Sequence, residues 1–278
     1  RAAERLDMAV QTISAQVRVL EQSLGVSLLR NEGRNLVLTE AGVAALHEAD
    51  HIFALGEQLP QRVREAATGT TLRLSLGISD GIAKLAMHRL LQPVLDEPQL
   101  RLLCHEGEFQ PLLGELVLHK LDAVLSDRPA PPNPALKTTS QLLGTSALAW
   151  YAPAPWAAAA RQNFPHSLAQ VPLLLPTEHA AVRARINHWL EREHIRPRIA
   201  GEFEDSALLS TFAASGMGVM PAPLLLQTHL HTTCALELVG TTPDVHEEFH
   251  LIYSERKVMH PLLVRLLAIA VDESLLNS

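Results

Sequence analysis

The chain has 278 residues, of which 47% are hydrophobic and 19% are charged. This composition excludes a largely disordered protein and predicts a globular one with two or three packing units. The net charge of -7 at pH 7 argues against nonspecific nucleic-acid binding over the whole surface, so any contact with DNA must be local and depend on a few arginines.

The first predicted element is the turn and second helix of a helix-turn-helix, in residues 6–21. An apolar stripe with a helical period runs through it, formed by Leu6, Ile13, Val17 and Leu20. The opposite face carries side chains that could approach base edges or phosphates. These candidate DNA contacts are Gln11, Thr12, Ser14, Ala15 and Arg18. The alternative for this segment alone is an ordinary amphipathic surface helix.

Two short strands around a polar turn follow, within residues 26–39. They predict a wing, and Arg30 and Arg34 flank its turn, where guanidinium groups could grip phosphates or enter a minor groove. Thr39 is predicted to cap the long helix that follows, and Glu40 places a carboxylate near the positive end of that helix.

The long helix, from Thr39 to about residue 66, carries an apolar stripe that is too extensive to be left in water. The stripe comprises Leu46, Ala49, Ile52, Phe53, Leu55, Leu59 and Val63. We therefore expect another subunit to cover it, and we expect Pro60 to bend the helix near its end. Residues 68–71 read as a short linker that marks the domain boundary.

From Leu72 onward, strand and helix patterns alternate, which predicts a parallel α/β sheet. The predicted elements are residues 72–78, 82–95, 101–105, 110–119 and 123–126, then 147–151, 172–175, 180–193, 198–203, 206–214 and 216–221, and finally 248–254 and 261–270. Two such lobes with crossings near residues 144–146 and 241–248 predict a two-lobed α/β clamp of the periplasmic-binding-protein type.

Ligands of open α/β sheets bind beyond the carboxyl ends of the strands, where this chain places polar loops. The candidate effector-binding residues there are Ser79, Asp80, Ser126, Asp127, Thr177, Glu178, Glu204 and Asp205. Because hard cations prefer oxygen ligands, the acidic members of this set could favour a small cation. The alternatives are that Asp80 and Asp205 cap the helices that follow them and that Asp127 orders a turn.

The segment His246-Glu247-Glu248-Phe249-His250 matches the H-E-x-x-H pattern of zinc peptidases. Zinc binding by both histidines requires a helix, because residues four apart on a strand lie about 13 Å from each other. The neighbouring residues predict a turn and then a strand, so we expect surface histidines here. No Walker loop, nucleophile elbow or dinucleotide fingerprint is visible, and we expect neither catalysis nor a cofactor.

Cysteine usage and hydropathy bear on the compartment. Cys104 and Cys234 lie in apolar segments and are expected to be reduced core residues rather than a disulfide. We see neither an export signal nor an apolar run of membrane-spanning length, which makes the cytoplasm the default location.

The first 42 residues resemble the winged helix of LysR-type transcriptional regulators. The matching residues are Ala2-Ala3-Glu4-Arg5-Leu6, Gln11-Thr12-Ile13-Ser14, Gln16-Val17-Arg18, Leu20-Glu21, Leu24-Gly25-Val26, Leu28-Leu29, Gly33-Arg34 and Leu38-Thr39-Glu40-Ala41-Gly42. The family has a further helix ahead of the position of Arg1, so we expect the domain to lack its first helix here. Ala9 stands where the family has a capping Ser or Thr, and we expect Asp7 to replace that cap.

The resemblance covers essentially the whole chain and implies its organisation. It implies a DNA-binding domain in residues 1–39, a linker and dimerisation helix in 40–67, an effector lobe in 72–145 with 247–278, and a second lobe in 146–246. It also implies promoter DNA, a small effector, RNA polymerase, and a homodimer or homotetramer as partners.

Within that family, several segments are most similar to activators of sodium/proton antiporter genes. They are residues 121–122, 126–127, 201–205, 207–209 and 249–261. This similarity implies activation of antiporter or stress genes, with sodium as the effector. Two alternatives stay open, namely a two-lobed solute-binding receptor that does not bind DNA and a metallohydrolase based on the H-E-x-x-H segment alone.

Overall fold

The computed structural model describes residues 7–33, 35–68, 71–133, 137–255 and 259–269. They belong to two compact units, residues 1–69 and residues 70–278. The first unit contains helix α1 (Val10–Leu24), strands β1 (Leu29–Glu32) and β2 (Asn35–Leu38), and helix α2 (Glu40–Thr68). These elements confirm the predicted helix, wing and long helix of the N-terminal domain.

Helix α1 ends at a glycine and is tied directly to the wing. Gly25 adopts a left-handed conformation with φ of +72°, and its N–H donates to the carbonyl of Glu21 at 2.9 Å. The Glu21 carboxylate accepts the N–H groups of Leu28 at 2.7 Å and Leu29 at 3.1 Å. One side chain therefore fixes the start of β1 against the helix that precedes it.

The wing is an antiparallel hairpin in which Glu32 pairs with Asn35 across a two-residue turn. Gly33 has a φ of +63°, which a side chain would strain. Arg34 lies outside the described residues.

The caps of the two helices match the predictions only in part. The Thr39 hydroxyl accepts the N–H of Gly42 at 3.0 Å and donates to the carbonyl of Ser27 at 2.7 Å, so the predicted cap of α2 is confirmed. The prediction for α1 is wrong. Its N-cap is Ala9 and has no side-chain hydrogen bond, while Asp7 lies in the turn itself with a φ of +50°.

The second unit contains the predicted strands and helices in the predicted order, together with two helices that were not predicted, Ala154–Arg161 and Gln227–Cys234. Its strands are β3 (Leu72–Ser79), β4 (Leu100–Gly107), β5 (Ala123–Ser126), β6 (Thr138–Ala152), β7 (Pro172–Pro176), β8 (Arg198–Phe203), β9 (Met220–Pro223) and β10 (Glu237–Ser254). Its helices are α3 (Lys84–Leu95), α4 (Phe109–Val117), α5 (Ala154–Arg161), α6 (Ala181–Arg192), α7 (Ser206–Ala214), α8 (Gln227–Cys234) and α9 (Pro261–Ile269), with 3₁₀ turns at His166–Ala169 and Leu224–Leu226.

The main sheet is mixed rather than wholly parallel. Its strand order is β4-β3-β5-β10-β6-β9, and β7 and β8 form a separate parallel pair. Strand β3 runs parallel to β4 and β5, as predicted, whereas β10 is antiparallel to β5 and β6. The direction reverses because β6 and β10 carry the chain out of the first lobe and back into it.

The two crossings are long strands, not the short segments that the sequence predicts. Strands β6 and β10 pair over almost their full lengths, with register shifts between Leu238 and Gly240, between Thr242 and His246, and between Phe249 and His250. Continuous pairing keeps the backbone hydrogen bonds satisfied while the chain passes from one lobe to the other. The insertions at the shifts disrupted the alternation from which the strand ends were predicted.

Separate hydrophobic clusters stabilise the sheet layers. One includes Leu74, Leu91, Leu125, Leu209, Phe249 and Leu266, and another includes Trp150, Leu173, Ile186 and Trp189. Both cysteines are free, as predicted, but their predicted place in the core is wrong, because Cys104 is exposed and Cys234 is only half-buried. Cys104 lies on β4, which is an edge strand of the sheet, and Cys234 ends α8.

Among the residues that the structure describes, none of the helices combines the length and apolar character that a membrane crossing needs.

Candidate DNA interface and effector cleft

Helix α1 presents the predicted polar side chains to solvent. Gln11, Thr12, Ser14, Ala15 and Arg18 are all exposed. Positions 11, 14, 15 and 18 fall on one face because they follow the helical period. On the apolar stripe, Ile13 and Val17 are half-buried, whereas Leu20 is 47% exposed.

The wing, which follows this helix in the chain, carries a further exposed arginine. Arg30 lies on β1, pairs through its backbone with Val37, and is exposed. The predicted contacts other than Arg34 are therefore on the surface of the first unit, and none of them is part of its core.

The second unit contains two adjoining cavities of about 280 Å³ each, which together form the cleft. The apolar chamber is lined mainly by hydrophobic side chains, including Leu85, Leu148, Val182, Phe203, Met220 and Leu230. The polar chamber is lined by Ser79, Glu108, Gln110, Arg128, Glu178 and His179, among others. Asp80, Gly81, Ala180 and Glu204 line both chambers and form their common rim.

Half of the predicted effector residues lie at this cleft. Ser79, Asp80, Glu178 and Glu204 line one or both chambers. Ser126, Asp127, Thr177 and Asp205 line neither chamber. Ser126 and Asp127 are buried, and the half-buried Thr177 has a hydroxyl that is shielded from solvent. Asp205 contacts the Leu208 N–H at the start of α7 and the ammonium group of Lys84.

Asp127 joins two segments of the fold. It is only 4% exposed, and its Oδ2 accepts the N–H of Ala181, the first residue of α6, at 2.6 Å. Its Oδ1 accepts the Nε of Arg128 at 2.9 Å, and the same guanidinium group donates to the carbonyl of His179. The carboxylate thus stabilises the positive end of a helix 54 residues away rather than a local turn.

Asp205 caps α7, which confirms one of the alternatives stated for it. Its Oδ1 accepts the N–H of Leu208 at 2.7 Å, and its Oδ2 lies 2.6 Å from the Nζ of Lys84, which also pairs with Glu106. Burial raises the pKa of the Asp205 carboxyl, but the hydrogen bonds from Lys84 and Leu208 outweigh burial and bring the pKa below its ordinary value. This carboxylate is therefore committed to the fold.

Asp80 does not cap a helix, contrary to the same alternative. Helix α3 begins after Ala83, which has no side-chain cap. Among the described residues, the carboxylates of Asp80 and Glu204 have no hydrogen-bond or ion-pair partner, and both lie on the common rim. They remain available to a ligand.

Glu247 is the cleft residue that the sequence analysis missed. It lines the apolar chamber from β10 and is 8% exposed. Burial, reinforced by the charge of Asp127 and opposed by Arg185, raises its pKa from 4.5 to about 8. Strand alternation was the available signal, since Glu247, Phe249 and Leu251 share one face, and Phe249 and Leu251 are hydrophobic and buried.

The H-E-x-x-H segment lies within β10, as predicted, so its two histidines do not share a helical face. His246 is exposed, but His250 is buried, contrary to the expected surface position. Its Nε2 lies 3.0 Å from an oxygen of Glu248, which also pairs with Arg185 at 2.6 Å. The two histidines lie on the same face of the strand but differ in burial, and no group of three or more His, Cys, Asp or Glu side chains in the described part of the chain could hold a metal ion.

Two family descriptions match the chain. Residues 1–43 match the bacterial regulatory helix-turn-helix proteins of the lysR family, and residues 67–274 match the LysR substrate binding domain. The chain is 28% identical over 266 residues to the transcriptional activator protein NhaR of Escherichia coli, which covers 95% of this chain and 87% of NhaR. It is 29% identical over 236 residues to the nitrogen assimilation regulatory protein nac of the same organism, covering 80% of this chain and 72% of that protein.

Solved structures share the fold. Full-length CbnR in complex with its target DNA has a TM-score of 0.64 and 21% identity, covering 98% of this chain and 93% of CbnR. HinK of Pseudomonas aeruginosa has a TM-score of 0.56 and 17% identity, covering 98% of this chain and 91% of HinK. The relatives are regulators rather than enzymes, and the helix-turn-helix match argues against a solute receptor without DNA binding. The chain belongs to the LysR family of bacterial transcriptional regulators.

Proposed function

We propose that this LysR-type regulator reads promoter DNA through the exposed face of α1 and the wing, and that a small ligand in the cleft controls it. The observation that carries the proposal is the exposed row of short, amide and guanidinium side chains on α1, directly followed by a hairpin. Such a helix fits a major groove, and a wing can contact the adjacent backbone.

The individual DNA contacts follow from side-chain chemistry. Gln11 can pair bidentately with adenine, and Arg18 with guanine or a phosphate, while Thr12, Ser14 and Ala15 permit close approach to the bases. Arg30 and Arg34 of the wing would contact phosphates or a minor groove. A protein with a net charge of -7 depends on such local contacts.

The test of the DNA proposal is selection of bound duplexes by the full chain from a random pool. We expect enrichment of a sequence with two half-sites that are about one helical turn, or a multiple of it, apart. If no sequence were enriched, and binding depended only on the salt concentration, the proposal of sequence-specific DNA binding would be contradicted.

We further propose that the protein acts as a homodimer or homotetramer. The described side chains of the α2 stripe support this, since Leu46, Ile52, Phe53, Leu59 and Val63 are all exposed. A stripe of this length is too apolar to remain in water. Dimers would also double the DNA contacts, and the regulator would act with RNA polymerase in the cytoplasm, where promoters are accessible.

Ligand control follows from the position of the cleft. A ligand held by residues from both lobes shifts their arrangement only if it binds one arrangement more tightly than the other. The contacts of Asp127 and Arg128 with the start of α6 mark the segment that such a shift would strain. The name of the relative NhaR supports activation as the direction of control.

Sodium is a candidate for the small ligand that controls the regulator. The unpaired rim carboxylates of Asp80 and Glu204 favour a cation, and the resemblance to antiporter activators supports sodium. The measurement is promoter occupancy in sodium and potassium series at equal pH and ionic strength. Equal occupancy in the two series would eliminate sodium as the effector.

A further inference from the structure

The apolar chamber combines a hydrophobic lining with a carboxyl group that has no internal partner. Glu247 lies on its wall and is more than nine-tenths buried. No residue that the structure describes donates a hydrogen bond to the Glu247 carboxyl or pairs with it. A buried polar group of this kind costs stability, so a ligand that supplies the missing partner recovers that cost on binding.

The charges around the chamber favour a positive ligand. Of the cations in the described lining, Lys84 is held by Glu106 and Asp205, and Arg128 of the adjoining chamber is held by Asp127. The carboxyl groups of Asp80, Glu204 and Glu247 have no such partners among the described residues. An anionic ligand would meet the rim carboxylates of Asp80 and Glu204 while Lys84 and Arg128 are already paired, which is unfavourable in a partly buried site.

A bare metal ion satisfies the charge but not the lining. Hard cations need several oxygen ligands at short distance, whereas this chamber offers mainly the hydrocarbon of Leu148, Val182 and Met220. Within the described residues, no group of three or more acidic, histidine or cysteine side chains could hold a metal ion. An ammonium group on a hydrophobic body satisfies both requirements, because it supplies N–H donors and apolar surface together.

We infer that the apolar chamber, as distinct from the carboxylates at its rim, binds an organic amine as an effector of this regulator: the apolar body occupies the chamber and the ammonium group binds the Glu247 carboxylate. Asp80 and Glu204 at the rim assist by attracting the positive charge. This inference rests on the proposed function, since it names the ligand class of the same cleft. Ion pairing inside a partly desolvated chamber gives a short, charge-assisted hydrogen bond.

Binding of an ammonium group also moves a proton. The raised pKa of Glu247, about 8, leaves its carboxyl protonated at neutral pH in the free protein. A bound cation favours the carboxylate, so one proton passes from Glu247 to the buffer as the amine binds. The other charged or titratable groups around the chamber are Asp80, Lys84, Asp127, Arg185, Glu204, His229 and Cys234.

The experiment is calorimetric titration of the full chain at neutral pH and fixed ionic strength with two matched sets of probes. One set is 2-phenylethylamine, 2-phenylethanol and phenylacetate, and the other is hexylamine, hexanol and hexanoate. We expect the amine of at least one set to bind more tightly than its alcohol and carboxylate counterparts. Titrations in buffers of different ionisation enthalpy measure the released proton.

Glu247→Gln is the decisive variant, because glutamine is isosteric with the protonated acid and preserves folding. We expect it to weaken amine binding by about ten- to a hundredfold and to abolish proton release. Glu191→Gln, an exposed position on α6 outside both chambers, is the matched control and should bind amines like the parent chain.

Three results would overturn the inference. They are equal or tighter binding of the carboxylate, amine binding that Glu247→Gln leaves unchanged, and no amine binding at all. Heat from sodium chloride, absent with potassium chloride and lost in Glu247→Gln, would assign the site to a metal ion instead. Operator binding measured on the same sample separates the two proposals, since intact DNA binding without amine binding contradicts only the ligand class.

Discussion

The DNA-facing helix and the ligand cleft use their polar side chains in opposite ways. On α1, Gln11, Ser14 and Arg18 are exposed and have no partner among the described residues. At the cleft, Asp127 and Asp205 are paired with backbone N–H groups and with cations of the same unit. A polar residue in the expected place is therefore available to a partner only where the fold leaves its hydrogen bonds unmade.

This contrast separates two kinds of acid in the cleft. Asp127 and Asp205 hold helix ends in position, whereas Asp80, Glu204 and Glu247 have no internal partners that the structure describes. Substitutions in the first group should change stability, and substitutions in the second or on α1 should change binding. Each prediction below tests one side of that division.

The largest effect is expected for Asp127→Ala. It removes the acceptor of the Ala181 N–H and leaves the partly exposed Arg128 without its carboxylate, so the effector unit should lose about 3 kcal/mol of unfolding free energy. Tryptophan fluorescence during urea unfolding measures this unit alone, because Trp150, Trp156 and Trp189 all belong to it.

Asp96→Ala is the control for that variant, since Asp96 is exposed and its carboxylate has no described partner. It should change the unfolding free energy by less than about 0.5 kcal/mol. If Asp127→Ala were no more destabilising than Asp96→Ala, the cap on α6 would contribute nothing to the fold.

The sequence was most informative where contacts are local. The Thr39 cap, the hairpin around Gly33 and the Asp205 cap involve residues that are close in the chain, and their patterns predict them directly. The contact between Asp127 and Ala181 spans 54 residues, and no local pattern indicates it. The four predicted effector residues that line the cleft and the four that do not could therefore not be told apart from local patterns.

Glu247 shows a different limit of sequence reasoning. The H-E-x-x-H pattern suggested a role for the two histidines, whereas the strand period predicts that Glu247 lies on the buried face. The lengths of β6 and β10 were also missed, because the insertions at residues 243–245 and 143 break the alternation. The pairing of β6 with β10 determines where these two strands begin and end, and the sequence of either strand alone does not predict that pairing.

A pH dependence of stability is the second prediction. The folded pKa of Glu247, about 8, lies above its unfolded value of 4.5, so the folded state binds more protons between these values. The stability of the parent chain should therefore fall as pH rises from about 4.5 to about 8 and then level off. Glu247→Gln removes this loss and should be more stable than the parent chain above pH 8, by roughly 2–4 kcal/mol.

Urea unfolding of both proteins at about pH 5 and about pH 9 measures the difference. The sign of the stability difference at high pH is the decisive observation. Replacing an ordinary, paired glutamate would make the variant less stable than the parent chain at high pH. A constant difference between the two proteins at both pH values would show that Glu247 does not titrate in this range.

Gln11→Ala tests the DNA side of the contrast. Loss of a bidentate contact with one base should reduce discrimination at one operator position by about 1–3 kcal/mol. Binding of operators with each base at that position, at fixed salt, gives the value, and the effector unit should keep its unfolding midpoint. A uniform loss over all four operators would mean that Gln11 contacts the backbone instead.

Arg30→Ala and Arg34→Ala are expected to act through phosphates. Each should weaken binding about equally for all operators and lower the dependence of log affinity on log salt concentration by about one unit. Fluorescence anisotropy over a salt series measures this slope. Arg265→Ala, in the effector unit, should leave the slope unchanged.

The smallest effect is expected for Thr39→Ala. The Thr39 hydroxyl links the start of α2 to Ser27 and caps the N–H of Gly42, so its loss should cost the first unit about 1 kcal/mol. Circular dichroism of a chain comprising residues 1–68, compared with the Thr39→Ser variant, measures the change. Serine keeps the oxygen and should restore most of the stability.

If the parent, Thr39→Ala and Thr39→Ser chains melted at the same temperature, the cap would contribute nothing to stability. Weaker operator binding by Thr39→Ala alone would show that the cap also positions the wing.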